Sequence, residues 1–145
     1  MIWNKVKTYS CSRSESFRYL RLRQIGDNQS TSNALSLSKI EFFGVLKTDY
    51  EAERKKNDVL RAEERKRTNG EFNFVDDRPF WGILSHLSDE CGGNVHYKGI
   101  VNITASSDSD HGQSHQVTNY GWGGYWKSDS LSNAWICFDF KEKRV

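Results

Sequence analysis

The stretch DSDHGQSHQ, residues 108–116, sets His111 and His115 four apart beside Asp108 and Asp110. Two imidazoles at that spacing on one helical turn could share a metal ion. Clustered carboxylate oxygens are the ligand type calcium takes. The intervening residues are Ser, Gly and Gln, which favour a loop over a helix. The spacing therefore does not bring the two rings to one face, and no metal site is assigned. Directly downstream, NYGWGGYW places Tyr120, Trp122, Tyr125 and Trp126 among glycines. Indole and phenol rings stack on sugar faces or fill apolar pockets of partners, and glycine lets the backbone bend between them. These four are the candidate ligand-binding residues. The competing reading is that Trp126, and with it Trp122, plugs the end of the core.

Arg18, Arg21 and Arg23 in SFRYLRLRQ form the next cluster. On a strand, Arg21 and Arg23 lie on one side with Tyr19, where they can pair carboxylates or stack on aromatic rings. Scaffold and anion contact both remain open for them. Catalytic patterns are missing: there is no nucleophile elbow, HExxH, P-loop or CxxC in the sequence,. His86 and His96 stand singly near apolar runs and read as structural. No catalytic residue and no cofactor is assigned, and an enzyme is not expected.

Three stretches of chain must position these residues. In the first, 1–46, residues 17–24 alternate with period two and predict a strand. A polar loop of turn formers follows. Residues 34–46 predict a second strand, with a shift of phase near Lys39–Glu41 that a bulge would permit. The second stretch, 47–70, holds eight Lys/Arg and six Asp/Glu with no internal glycine. It predicts a charged helical linker with Asp49 as N-cap and Gly70 just past its end. The third, 71–145, predicts a helix over Pro79–Leu87 capped by Asp77, a strand over 99–107, the long aromatic loop, and a strand in NAWICFDFKEKRV.

Composition narrows the class. A length of 145 residues suits one domain with a real core,. A net charge of +2 is too small to argue for nucleic acid,. No apolar run reaches the roughly 18 residues of a membrane span, and the first twenty residues lack the apolar core of a signal peptide. Cys11, Cys91 and Cys137 are an odd, widely spaced set that fits neither a disulfide framework nor a zinc pattern. Free thiols imply a reducing compartment, so a cytoplasmic protein is expected.

GGNVHYKGIVNITASS, the aromatic loop and AWICFDFKEKRV together resemble the first half of a discoidin domain, the coagulation-factor type C module of galactose-binding-like fold. SFRYLRLRQIGDNQSTSNALSLSKIEFFGVL resembles its second half. The flavour is that of the modules accompanying BTB–BACK domains. The resemblance implies an all-β, antiparallel jelly-roll sandwich with ligand-contacting loops at one end. The halves stand in swapped order, and the middle strands expected after FKEKRV are missing. Two explanations compete: a window cut from a tandem array, or a circularly permuted single barrel. The resemblance thus divides the chain into a second-half segment 1–46, the linker 47–70 and a first-half segment 71–145. It implies a binding module for an intracellular protein partner. A glycan or lipid head group is the alternative ligand, and a truncated gene product without function is a third reading. Strand edges left bare by missing strands would favour self-association.

Overall fold

The computed structural model describes residues 6–11, 16–27, 33–48, 70–129 and 132–145. Within them lie three small antiparallel sheets and one nine-residue helix, so the chain is of all-β class. In chain order the strands are β1 (Tyr19–Arg23), β2 (Ser36–Leu37), β3 (Gly44–Thr48), β4 (Gly70–Phe72), β5 (Asn102–Ala105), β6 (Trp126–Lys127), β7 (Trp135–Asp139) and β8 (Lys143–Arg144). Helix α1 (Ile83–Cys91) lies between β4 and β5, and a 3-10 helix (Ser114–Thr118) lies between β5 and β6.

Every strand of the first stretch pairs with a strand of the third. β1 runs antiparallel to β7, from Tyr19 opposite Asp139 to Arg23 opposite Trp135. β5 flanks β7 on its other side, giving the order β1-β7-β5. β2 pairs with β6, and β3 pairs with both β4 and β8. Phe17 and Val145 exchange backbone hydrogen bonds of 3.1 and 2.8 Å. The two stretches therefore build one structure.

Alternation explains the main sheet. Leu20 and Leu22 of β1, Ile136 and Phe138 of β7 and Ile103 of β5 point inward, where Ile136 and Phe138 are fully buried. α1 contributes Ile83, Leu84 and Leu87 to the same core. Trp126, Phe140, Leu46 and Val117 complete a single apolar core. Phe42 meets Phe138 and Phe140 edge-on, at 5.1 and 6.0 Å between ring centroids, a favoured aromatic geometry.

Several expectations need correction. The strand over 34–46 is two strands, because residues 38–43 leave the ladder and carry Glu41 to the start of α1. α1 begins at Ile83 rather than Pro79, so Asp77 does not cap it. The strand over 99–107 is the shorter β5, and the last strand breaks into β7 and β8 around Lys141, whose φ is 56°. The helical linker falls mostly at 49–69, outside the described residues. At its two ends the chain is extended: Lys47 and Thr48 belong to β3, and Gly70 opens β4 instead of ending a helix.

The start of α1 is assembled from the first stretch. Glu41 accepts hydrogen bonds from Leu84 N–H at 2.7 Å and Ser85 N–H at 3.0 Å, while the Phe42 carbonyl takes Ile83 N–H at 2.8 Å. These are the donors that a helix leaves unsatisfied at its N-terminus, and a carboxylate there also meets the positive end of the dipole. The N-cap, Gly82, is a glycine by necessity. A Cβ on it would stand 2.4 Å from the Phe42 carbonyl oxygen.

Candidate functional site

The aromatic loop is fastened at one point. Asp108 Oδ1 accepts from Ser114 N–H at 3.0 Å and from the Trp126 indole N–H at 2.7 Å. The same oxygen thus holds the start of the 3-10 helix and the start of β6. Ser109 N–H to the Lys127 carbonyl, 3.0 Å, and Asp129 N–H to the Ser107 hydroxyl, 2.9 Å, draw the two stems together.

Between these stems the four candidate residues separate by role. Trp126 is fully buried and belongs to the core, so it offers a ligand no surface. Tyr120 is half-buried. Its hydroxyl donates to the Glu41 carboxylate at 2.8 Å, with the Ile40 carbonyl at 3.2 Å. Burial, with Glu41 adjacent, pushes the phenol far above its usual range, so it stays a donor,. Lys39 reaches the Tyr120 carbonyl at 2.5 Å and lies over the Phe80 ring at 5.9 Å. Tyr120 is thereby a brace between the loop and α1. Trp122 is half-buried and packs on the core, with its indole laid against Gly112 and Gly124. A Cβ on either glycine would come within 2.7 Å of that ring. Tyr125 is 41% exposed and stacks on His111, with centroids 5.2 Å apart and planes 29° from parallel.

The solvent face of the loop is therefore Tyr125 on His111, the open side of Trp122, and the exposed Asp110 and Gln113. His111 was weighed in the sequence as a metal partner of His115, but the two diverge. His111 faces out, and His115 turns in on the 3-10 helix, 8% exposed, with its ring stacked on His96. Asp108 is engaged with the loop stems, and Asp110 lies 3.7 Å from His111. No group of three or more metal-ligating side chains converges among the described residues.

The arginines divide similarly. Arg18 grips Asp139 with two hydrogen bonds, 2.7 and 3.2 Å, and this holds the carboxyl below its usual range. Arg21 lies over the Trp135 ring at 4.9 Å, and Arg23 donates to Asn133 at 2.8 Å. All three are tied to β7 or to the turn that precedes it. The cysteines are free thiols, exposed at Cys11, half-buried at Cys91 and buried at Cys137. No helix among the described residues is long and apolar enough to cross a membrane.

No spacing rule joins His96, Tyr97 and His115 in the sequence, where they stand up to 19 positions apart. Nor does one join His111 to Tyr125, fourteen positions away, where only the fold makes the contact. Compared with models of protein families, with curated proteins and with solved structures, the chain matches none.

Proposed function

We propose that the protein is a non-enzymatic binding module of discoidin type, a jelly-roll β-sandwich that engages a protein partner through the loop 108–125. The observation that carries this reading is a loop whose two stems are held by one carboxylate oxygen of Asp108, yet which presents Tyr125 and His111 outward as a ready-stacked pair. A clamped loop loses little further conformational freedom on binding, and exposed aromatics are the commonest anchors of interfaces. The resemblance of the two chain segments to discoidin halves supports the architecture. The pairing of β1 with β7 and β2 with β6 is what a permuted single barrel needs. Three free thiols support an intracellular partner,.

A carbohydrate is the second reading. It is favoured by the flat Tyr125 ring backed by His111, with Asp110 next to that imidazole and exposed Gln113 in the same loop, since sugars take an aromatic face together with polar hydrogen-bonding groups,.

The test compares the wild-type chain with a Tyr125→Ala/His111→Ala double variant that keeps its thermal transition. One arm is affinity capture followed by reconstitution with the purified captured protein; the other is a glycan array. A purified partner that binds the wild type and loses roughly tenfold or more in affinity for the variant supports the protein reading. Glycan binding lost in the variant moves the assignment to sugar. Equal binding by both chains removes this loop as the site.

A further inference from the structure

The outer edge of the main sheet is covered by a histidine. β5 has β7 on one side and no strand on the other among the described residues. Ile103 N–H instead donates to Nδ1 of His96 at 3.0 Å. That bond requires a lone pair on Nδ1, so the ring is neutral with its proton on Nε2. Its plane lies 9° from that of His115, with centroids 4.8 Å apart. His115 Nε2 is 2.6 Å from the Tyr97 hydroxyl. Asn94 ties the same two pieces of chain: its Oδ1 accepts from His96 N–H, and its Nδ2 donates to the His115 carbonyl and the Thr118 hydroxyl.

We infer that His96 and His115 form a proton-sensitive clasp: while neutral, the stacked pair holds the 94–101 turn and the 3-10 helix over the outer edge of β5, and proton uptake opens it. The reason is geometric. A proton added to His96 can go only to Nδ1, where it meets Ile103 N–H head-on and abolishes the bond. A charge on either ring also faces the other at stacking distance.

The surrounding charges work in the same direction for His96. Burial first, and then Lys141, whose ammonium is fixed on the Gly99 carbonyl at 2.5 Å, hold His96 below its usual range. Burial and then His96 lower His115, while Asp108 pulls it upward. Tyr97, also titratable, contacts both rings edge-on. An unfolded histidine takes its proton near pH ~6.5. The contribution of the clasp to stability is therefore complete above that pH. It is lost as the pH falls from there through the lower folded-state values.

The experiment is an NMR titration of the full chain from pH 7.5 to 5, reading the imidazole Cε1–H resonances and the exchange protection of backbone amides. The expected result is that His96 and His115 titrate below the usual range. The Ile103 amide, corrected for intrinsic exchange, should lose protection by about tenfold for each unit by which the pair is lowered, while the amides of β1 and β7 keep theirs. His96→Asn, whose side-chain oxygen stands near the place of Nδ1, should keep Ile103 protected down to pH 5 and move His115 upward. The wild-type titration decides alone if that variant fails to fold. Ile103 protection that stays flat through the histidine titration overturns the clasp. So does a loss shared equally by every amide, which would be global unfolding.

Discussion

Single atoms decide the contacts that matter most. The Gly82 site is the sharpest case, because the Phe42 carbonyl and the Glu41 side chain both occupy the space a Cβ would need. Gly82→Ala should destabilise the chain by about 1–3 kcal/mol, since backbone on one side and a capping carboxylate on the other cannot both yield. Chemical denaturation with an unchanged m-value would show it, and a loss below a few tenths of a kcal/mol would mean the turn relaxes freely. Residue identity was legible in the sequence only in part: of the two arginines that alternation sets beside Tyr19, Arg21 does cover a ring, whereas Arg23 takes Asn133 and the carboxylate goes to Arg18 on the other phase. It was illegible where a residue acts at a distance. Nothing in SKIEFFG says that Glu41 closes a helix more than forty positions later.

At the level of elements, α1 owes its starting point to tertiary contact rather than to its own sequence. Pro79 and Asp77 offer a sound local start, yet the helix waits until Ile83, where Glu41 supplies the missing acceptors. Glu41→Ala should destabilise by about 2–4 kcal/mol, because it orphans two helix N–H groups and leaves the Tyr120 hydroxyl only the longer bond to the Ile40 carbonyl,. Tyr120→Phe should cost about 1–2 kcal/mol, and the double variant less than the sum of the two. A thermodynamic cycle that is additive within about 0.5 kcal/mol would show that the carboxylate serves the helix and the phenol independently. The strands with clean alternation, β1 and β7, stand where period-two reading placed them. The 34–46 region did not, since its shift of phase marks an excursion to another element rather than a bulge within one strand.

For the whole molecule, the pairing of first-stretch strands only with third-stretch or neighbouring strands has a direct consequence. Without residues 1–48, β7 loses one flank, β6 the one strand it pairs with among the described residues, and the start of α1 its acceptors. A chain of residues 70–145 should show no cooperative thermal transition. Mixing it with a peptide of residues 6–48 should restore one, together with near-ultraviolet signal from the buried Trp126,. A cooperative transition in the shorter chain by itself would mean that the third stretch holds a sufficient core. This unity was only half-visible in the sequence. Alternating apolar strands are visible in both stretches, but no local pattern reports which strand of one lies beside which strand of the other.

The double use of Asp108 Oδ1 reaches furthest when the chain is considered as something that changes over generations. The stretches 109–113 and 119–125 each begin or end at that oxygen or at the short helix it anchors. Either can lengthen or change composition while its ends stay put. Closing a longer loop is inexpensive, about 0.6 kcal/mol for each doubling of length. Sequence drift at the exposed positions of these stretches, Asp110, Gln113, Gly121, Gly123 and Tyr125 among them, is thereby insulated from the sheets, and new specificities can be tried there without refolding the rest. The positions that cannot drift with them are Asp108 itself, Tyr120 on Glu41, and Trp122 with the two glycines it lies against.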